Sequence, residues 1–371
     1  MSKKKDSSSR CALCGRHVGP LDPDCITGAT GNKICRDCLS VANRIAPVPQ
    51  EDASLRPPAP VLLPPHLIVQ ELDKVIIGQK RAKNAIAIAL WKQQLRASGD
   101  MNLPRTNLLL YGPTGCGKTA LVREAAKIVG LPFITFDATT LSEAGYRGRD
   151  ASELVTELID RHLEHLYLDY GVIFLDEIDK LAATGGEPRM QYNRGTQHSL
   201  LKLIEGIEIN YRSCRLSTDS LLFIFGGAFT GISDNTISTL STRPIGFMSD
   251  IMAEQEDTTS DITIDDFVSF GMEPELLGRV GQCVPVEPLT AQDLKQILLE
   301  SQLSPYLQYQ KFFASRGIQL EFSNKYMDRL ANQAFAQGSG ARGLNRLVEE
   351  AVEPLLLRLA AGEIQKTLRL D

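Results

Sequence analysis

Hydrophobic and polar residues follow two regular patterns along this chain, one helical and one strand-like. Helical spacing of apolar residues begins near residue 65 and returns over 290–360, where Leu294, Ile297 and Leu298 share one face. Between those regions, short apolar runs predict strands near 107–111, 132–136, 172–176 and 221–225. Helical patterns predict helices over 118–129, 151–168 and 195–205. Short strands alternating with helices predict an α/β fold, with a mainly parallel sheet covered by helices on both faces.

The first predicted strand leads into a glycine-rich segment. Its sequence is Gly112-Pro113-Thr114-Gly115-Cys116-Gly117-Lys118-Thr119, which fits the phosphate-binding pattern G-x-x-x-x-G-K-[ST]. Glycines let backbone N–H groups approach a polyphosphate, and the helix that follows presents the positive end of its dipole. In this pattern Lys118 would reach the β- and γ-phosphates of ATP, and Thr119 would be a ligand of Mg²⁺.

A second motif supports this interpretation. The strand near 172–176 ends in two adjacent acids, Asp176 and Glu177. Two such carboxylates can divide the work of ATP hydrolysis, with Asp176 holding Mg²⁺ and Glu177 polarising the attacking water. The alternative is that the first motif is an ordinary glycine turn and the second an unrelated strand that ends in solvated acids. Both motifs would then have to occur together by chance. The sequence therefore predicts an ATPase with Lys118, Asp176 and Glu177 at its catalytic centre.

The N-terminal region contains two C-x-x-C pairs, Cys11 with Cys14 and Cys35 with Cys38. Four thiolates at this spacing are typical of a structural, tetrahedral Zn²⁺ site in a compartment that keeps thiols reduced. A module of this size buries too little surface to fold alone, so the metal would supply the folding energy. A redox dithiol or a disulfide pair is the alternative, and Cys25, between the pairs, could replace a ligand.

Seven prolines between residues 46 and 65 predict an extended linker. This linker separates the cysteine-rich module from the predicted ATPase. The predicted organisation is a disordered leader (1–10), a zinc-binding module (11–45), the linker (46–65), a large ATPase domain (66–285) and a small, mainly helical domain (286–371).

Length and charge restrict the possible function classes. A chain of 371 residues is too long for one ordinary core. Its net charge of −5 provides no global basic field for nucleic-acid binding. The polar first nine residues lack the apolar core of a signal peptide, and no apolar run is long enough to span a bilayer. These features predict a cytoplasmic protein with neither nucleic acid nor membrane as a partner.

Several motifs occur in an informative order. They are the two cysteine pairs, Val75–Gln79, the phosphate loop, Asp137–Leu141, Leu175–Lys180 and Gly340–Leu344. With this order the chain resembles the ClpX-type AAA+ protein unfoldases, from the zinc module to about residue 358. The resemblance implies a homo-hexameric ring that hydrolyses ATP with Mg²⁺ and pulls unfolded or tagged proteins through a central pore. It also implies docking on a ClpP-type peptidase ring, and it admits adaptors that bind the zinc module.

The resemblance also implies nucleotide-binding roles for residues outside the two phosphate-site motifs. Ile76 and Ile77 would contact adenine, although on spacing alone helix–helix packing is the better interpretation. Arg279 would be the arginine finger that reaches the γ-phosphate in a neighbouring subunit, and a surface salt bridge is the alternative. Arg342, at the start of a predicted helix, would sense ATP bound to its own subunit.

Three segments correspond in position to loops that handle substrate or partner in this family. Tyr146 and Arg147 would lie in the pore loop, where the family has an aromatic and then an aliphatic residue; a surface turn is the alternative. Residues 185–197 are polar and lack periodicity, which predicts a flexible second pore loop. Ile245-Gly246-Phe247 would dock on the peptidase. The family's Arg-Lys-His cluster at the pore entrance has no counterpart here.

The sequence therefore favours an ATP-driven protein unfoldase that serves a ClpP-type peptidase. One alternative is the same motor acting without a peptidase, as a remodeller of protein complexes. Another is an AAA+ nucleic-acid motor with a zinc ribbon, but this would require a basic stripe with interleaved aromatic residues. A zinc-linked binding module with an idle ATPase is disfavoured, because both acids after the strand and the phosphate-loop lysine are intact.

Overall fold

The computed structural model describes the chain in segments: 10–18, 25–27, 33–38, 62–100, 103–141, 150–163, 168–183, 187–211, 214–232, 262–362 and 367–371. The chain forms two compact units, Met1–Ala59 and Pro60–Asp371, here called the N-terminal unit and the ATPase unit. Within the described residues, no helix is both long and apolar enough to cross a membrane.

The N-terminal unit contains a short antiparallel hairpin. Its strands are β1 (Cys25–Thr27) and β2 (Lys33–Cys35), and Cys25 lies opposite Cys35. The buried core of its described residues consists of Cys11, Val18 and Cys35. A core this small contributes little hydrophobic stabilisation, because that term scales with the apolar area removed from water.

The ATPase unit contains the remaining elements. Its strands are β3 (Leu108–Tyr111), β4 (Phe133–Asp137), β5 (Val172–Asp176), β6 (Glu208–Tyr211), β7 (Cys214–Ser217), β8 (Leu222–Gly227), β9 (Gln282–Pro285), β10 (Gln319–Phe322) and β11 (Thr367–Leu370). Its helices are α1 (Pro65–Asp73), α2 (Lys80–Ala97), α3 (Lys118–Val129), α4 (Glu153–His162), α5 (Glu187–Glu205), α6 (Ile264–Ser269), α7 (Pro274–Gly278), α8 (Ala291–Glu300), α9 (Pro305–Ala314), α10 (Asn324–Ala336) and α11 (Gly340–Ala360).

Five strands form one parallel sheet in the order β4-β5-β8-β3-β9. Alternate residues of each strand face different cores, as the pleat requires. On β3, for example, Leu109 packs with residues of α4 and α5, whereas Leu108 and Leu110 pack with α1, α2 and α3. Burial on both faces explains why these strands are continuous apolar runs in the sequence. The predicted α/β class, with helices on both faces of a parallel sheet, is confirmed.

One predicted loop is wrong. The segment 185–197 was expected to be flexible, but α5 begins at Glu187 and continues through it. Two of its polar side chains bond to backbone carbonyls of the segment that precedes the helix: Asn193 donates to the carbonyl of Ala182 at 2.8 Å and Gln197 donates to that of Leu181 at 2.8 Å. Both residues are buried, so this helix has a polar buried face that hydrophobic periodicity does not detect.

The C-terminal part of the ATPase unit, from α8 onward, is the small domain. Its four helices pack around a separate hydrophobic core. It also contains a two-stranded parallel sheet of β10 and β11, which the helical spacing over 290–360 did not predict. The small domain remains mainly helical, as the sequence predicted.

Candidate nucleotide and metal sites

The phosphate loop lies at the carboxyl end of β3, between that strand and α3. Two of its glycines are required by close backbone contacts. A Cβ on Gly112 would lie 2.1 Å from the carbonyl oxygen of Val286, and one on Gly115 would lie 2.4 Å from that of Ser339. Gly117 has φ +98° and precedes α3 directly, so the first N–H groups of that helix are directed toward the loop. These features form a cradle for phosphate oxygens.

Thr119 and Asp176 meet at this edge of the sheet. The Thr119 hydroxyl donates a hydrogen bond to Asp176 Oδ2 at 2.6 Å. The pair comes from the start of α3 and the end of β5, two elements far apart in sequence. A hydroxyl beside a carboxylate is a donor set that suits Mg²⁺, which prefers oxygen ligands. The Lys118 amino group lies in the same loop, where it donates to the carbonyls of Gly112 and Pro113 at 2.7 and 3.0 Å.

Glu177 follows Asp176 in an unusual backbone conformation. Its φ of +58° is in the left-handed region, which few non-glycine residues occupy. Its N–H donates to Asp176 Oδ1 at 3.0 Å, and its side chain is exposed at the cavity described next. Backbone strain of this kind is a feature of functional sites, where it fixes the direction of a reactive side chain.

A cavity of about 320 Å³ lies over the phosphate loop. Its walls come from the large domain, through Lys118, Asp176 and Glu177, and from the small domain, through Arg342. The two domains touch beside it, because the Ala341 N–H donates to the carbonyl of Gly115 at 3.0 Å. The cavity is therefore a cleft whose shape depends on the position of the small domain.

Four further polar residues, to which the sequence assigned no role, line this cavity. They are Arg123, Asp179, Lys180 and Asn345. The spacing of Arg123, four residues after Thr119 on one helix face, was the available signal. Asp179 is buried and accepts a hydrogen bond from the Ala228 N–H at 3.1 Å, which joins the end of β5 to the end of β8.

Ile76 and Ile77 lie at a second, apolar cavity of about 140 Å³. Cys116 and Gly117 of the phosphate loop also line it, together with Ile297 of the small domain. Ile76 also packs against the core formed by α1, α2 and α3. The segment therefore takes part in helix packing and also lines the cavity that could hold adenine. An apolar cavity directly beside a phosphate cradle fits the flat, apolar faces of a nucleotide base.

The segment around Ile76 and Ile77 is bonded at both ends, at one end to the small domain and at the other to the connection between β9 and α8. The Ser301 hydroxyl donates to the carbonyl of Val75. At the other end, the buried side chain of Gln79 exchanges two hydrogen bonds with the backbone of Glu287, at 2.8 and 2.9 Å. The base-sized cavity is therefore framed by backbone that is held in place at both ends.

Arg279 does not line the cavity of its own chain. Its guanidinium pairs with Glu205 at 2.7 Å, and both side chains are about half exposed, at 55% and 43%. Its carbonyl accepts a hydrogen bond from Asn107 at 2.9 Å, just before β3. The predicted surface salt bridge is thus present, and the arginine is presented at the surface next to β9.

The four predicted zinc ligands meet in the N-terminal unit. The sulfurs of Cys11, Cys14, Cys35 and Cys38 all lie within 4.8 Å of one another, and those of Cys14 and Cys35 are 3.7 Å apart. A tetrahedral zinc with bonds of about 2.3 Å would place its sulfurs roughly 3.8 Å apart. None of the four is in a disulfide. The geometry fits zinc.

Two of these thiols, those of Cys11 and Cys38, have pKa values shifted in opposite directions. The backbone N–H of Cys35 points at Cys11 Sγ, at 3.3 Å, and this contact is the main reason that the pKa of Cys11 is lowered to about 6. The pKa of Cys38 is raised to about 12, chiefly by its hydrogen bond with Cys14. Four thiolates would repel one another at this distance, so a dication is what would allow all of them to ionise.

The predicted pore residues Tyr146 and Arg147, and the predicted docking residues Ile245, Gly246 and Phe247, lie outside the described residues. Their roles remain predictions from the resemblance.

Comparison with known proteins supports one family. Residues 103–283 match the family described as "AAA domain (Cdc48 subfamily)", and residues 289–369 match the "C-terminal, D2-small domain, of ClpB protein". The "ATP-dependent Clp protease ATP-binding subunit ClpX 2" of Wolinella succinogenes is 31% identical, over 95% of this chain and 92% of that protein. The "ATP-dependent Clp protease ATP-binding subunit ClpX" of Treponema denticola is 32% identical, over 92% and 87% respectively. This chain therefore belongs to the ClpX family of AAA+ ATPases.

Proposed function

We propose that this protein is an ATP-dependent protein unfoldase and translocase that works as a homo-hexameric ring and delivers polypeptide to a ClpP-type peptidase. The observation that carries the proposal is the cleft between the two domains. It has a phosphate cradle and an acidic pair on one side and Arg342 on the other. A cleft built from two domains changes shape when its ligand changes, which is how nucleotide turnover can be converted into movement.

Within one subunit, the residues of the phosphate loop bind and orient the nucleotide. Backbone N–H groups of Gly112–Thr119 and the Lys118 amino group hold the β- and γ-phosphates. Thr119 and Asp176 would hold Mg²⁺, and a dication there would supply charge neutralisation at the phosphates. Glu177 accepts a proton from the attacking water. Ile76 and Ile77 enclose the adenine, and Arg342 brings the small domain toward the bound phosphates.

The neighbouring subunit completes the site in this proposal. Arg279 is exposed, just before the amino end of β9, and its only described ion pair is a half-exposed one with Glu205. An exposed arginine in this position is free to reach across a subunit interface and to stabilise the transition state. Hydrolysis would then require the assembled ring, with each subunit supplying a finger to the next.

The zinc module and two loops supply the remaining parts. We assign Zn²⁺ to Cys11, Cys14, Cys35 and Cys38, and we assign binding of substrates or adaptors to the module that the metal stabilises. Tyr146 and Arg147 would grip substrate in the pore. Six copies of Ile245-Gly246-Phe247 on one ring would bind the peptidase with avidity, because each further contact is made at high effective concentration.

The test is ATP-dependent co-sedimentation with the ClpP ring of the same organism, comparing the unchanged protein with Phe247→Ala. We expect the unchanged protein to sediment with ClpP only when ATP is present, and the variant to remain in the supernatant. Glu177→Gln, which should bind ATP without hydrolysing it, serves as a control that holds the ring in its ATP-bound form. If neither protein binds ClpP while ATP hydrolysis persists, the peptidase assignment is wrong and the remodeller becomes the better description.

A further inference from the structure

Arg123 lies on α3, four residues after Thr119 and therefore one turn further along the same helix face. The distance between the two positions along the helix axis is about 6 Å, at 1.5 Å per residue. Helical side chains lean toward the N-terminus of their helix, which here is the phosphate end. Arg123 is exposed and lines the nucleotide cavity, in keeping with this direction.

The cations that line the cavity differ in whether they already have a partner. Four cations line it: Lys118, Arg123, Lys180 and Arg342. Lys118 donates to two carbonyls of the loop, and the Lys180 amino group lies 3.5 Å from Asp179. Arg123 and Arg342 make no hydrogen bond or ion pair within the part of the chain that the structure describes. Two guanidinium groups thus border the cavity, one from each domain.

We propose that Arg123 is a second nucleotide-binding cation in cis, which contacts the phosphates from the large-domain wall opposite Arg342. A guanidinium binds phosphate oxygens with two parallel hydrogen bonds, which suits it better than an ammonium to this contact. Arg123 lies on α3, the helix that carries Thr119, whereas Glu177, the residue proposed to act on the attacking water, follows β5. Its partner is therefore a phosphate that ATP and ADP share. This inference rests on the proposed use of the cavity for ATP.

The test is equilibrium binding of ATP and of ADP, each with Mg²⁺, to the full-length Arg123→Gln protein, measured by isothermal titration calorimetry. Because a charge-assisted contact is lost, we expect the Kd to rise about tenfold for both nucleotides. Arg123→Lys should recover part of the affinity, since it keeps the charge but loses the paired hydrogen bonds. The matched control is Lys127→Gln, one turn further along α3 and outside the cavity, which should bind both nucleotides as the unchanged protein does.

A Kd within twofold of the unchanged protein for both nucleotides would overturn the proposal. Weakened binding of ATP alone would also contradict it, because the contact would then be to the γ-phosphate. Thermal unfolding without nucleotide separates a contact from a folding defect: an equal Tm is expected, and a lower Tm with no rescue by Arg123→Lys counts against the proposal. If the unchanged protein binds neither nucleotide, the proposed ATPase site fails instead.

Discussion

The N-terminal unit and the ATPase unit bury very different amounts of apolar surface. In the N-terminal unit, the described core is limited to Cys11, Val18 and Cys35, and two of these residues belong to the thiol cluster. In the ATPase unit, hydrophobic clusters cover both faces of a five-stranded sheet, and the small domain has a core of its own.

This difference indicates where each fold gets its stability. A domain with a large core distributes its stabilisation over many contacts, so that one lost contact removes only a small part of it. A small cysteine-rich module concentrates its stabilisation in one metal site, and the site must form for the chain to fold. The following predictions test this contrast, beginning with the largest expected effect.

Loss of the metal should unfold the N-terminal unit and leave the ATPase unit folded. Zinc binding at small structural sites carries about 10–16 kcal/mol of apparent free energy at neutral pH, far more than the small core of the described residues of this unit would supply. We therefore expect Cys14→Ser to lose one zinc per chain and to lose hydrogen-exchange protection over residues 10–18, 25–27 and 33–38. Metal analysis and exchange mass spectrometry measure the two effects, and basal ATP hydrolysis should persist.

Cys25→Ser is the matched control for this experiment. Cys25 packs against the small core of the N-terminal unit but is outside the group of four sulfurs. We expect this variant to keep its zinc. Retention of zinc by Cys14→Ser would refute the cluster, whereas loss of zinc from Cys25→Ser would show that the ligand set is wrong.

A change at Arg279 should remove activity while both units stay folded. Its ion pair with Glu205 is about half exposed, and exposed pairs contribute only about 0–1 kcal/mol to stability. Arginine fingers, in contrast, can contribute roughly 10³–10⁵ to turnover. We expect Arg279→Ala to reduce ATP hydrolysis by a factor in this range, with an unchanged Tm. Glu205→Gln removes the same ion pair and should keep its activity.

Mixed rings determine whether the finger acts between subunits. Rings of Arg279→Ala alone, or of Glu177→Gln alone, should be inactive. A mixture contains interfaces at which an intact Arg279 faces an intact Glu177, and such interfaces should recover part of the hydrolysis. Recovery is impossible if Arg279 acts within its own subunit, so a mixture as inactive as its components would reject the assignment.

The sequence predicted four of the five strands of the sheet, all but β9, and the two halves of the phosphate site for a physical reason. Strands buried on both faces are continuous apolar runs, and the carboxyl ends of parallel strands meet at one edge of a sheet. Thr119 and Asp176 therefore had to lie near each other, and the structure joins them at 2.6 Å. The cysteine spacing was equally informative, because few arrangements other than a metal site bring four sulfurs together.

Other features depend on contacts that no local pattern records. The polar residues of α5 read as a loop because their partners are backbone carbonyls of another segment, such as that of Ala182 for Asn193. The left-handed conformation of Glu177 is imposed by its surroundings, since nothing in its own residue type favours it. In the sequence, Arg123 cannot be distinguished from other exposed arginines on helices. Its place in the cavity wall depends on the fold, in which the small domain supplies the other wall.

The smallest predicted effect concerns a single helix cap in the ATPase unit. Thr290 precedes α8 in a capping box: the Asp293 N–H donates to its hydroxyl at 3.1 Å, and its own N–H donates to the Asp293 carboxylate at 2.8 Å. Replacing an N-cap threonine with alanine typically costs about 1 kcal/mol. We expect Thr290→Ala to lower the unfolding free energy of the small domain by this amount in urea, with the slope unchanged.

Thr290→Ser keeps the hydroxyl and should keep nearly all of the stability, which separates the cap from the packing of the methyl group. Zinc content should be the same in both variants, because the metal and the cap belong to different units. A loss of several kcal/mol from Thr290→Ala would mean that the small domain depends on a few dominant contacts, as the N-terminal unit does. A loss of about 1 kcal/mol supports the opposite view, since in a distributed core each local interaction can be removed without unfolding the domain.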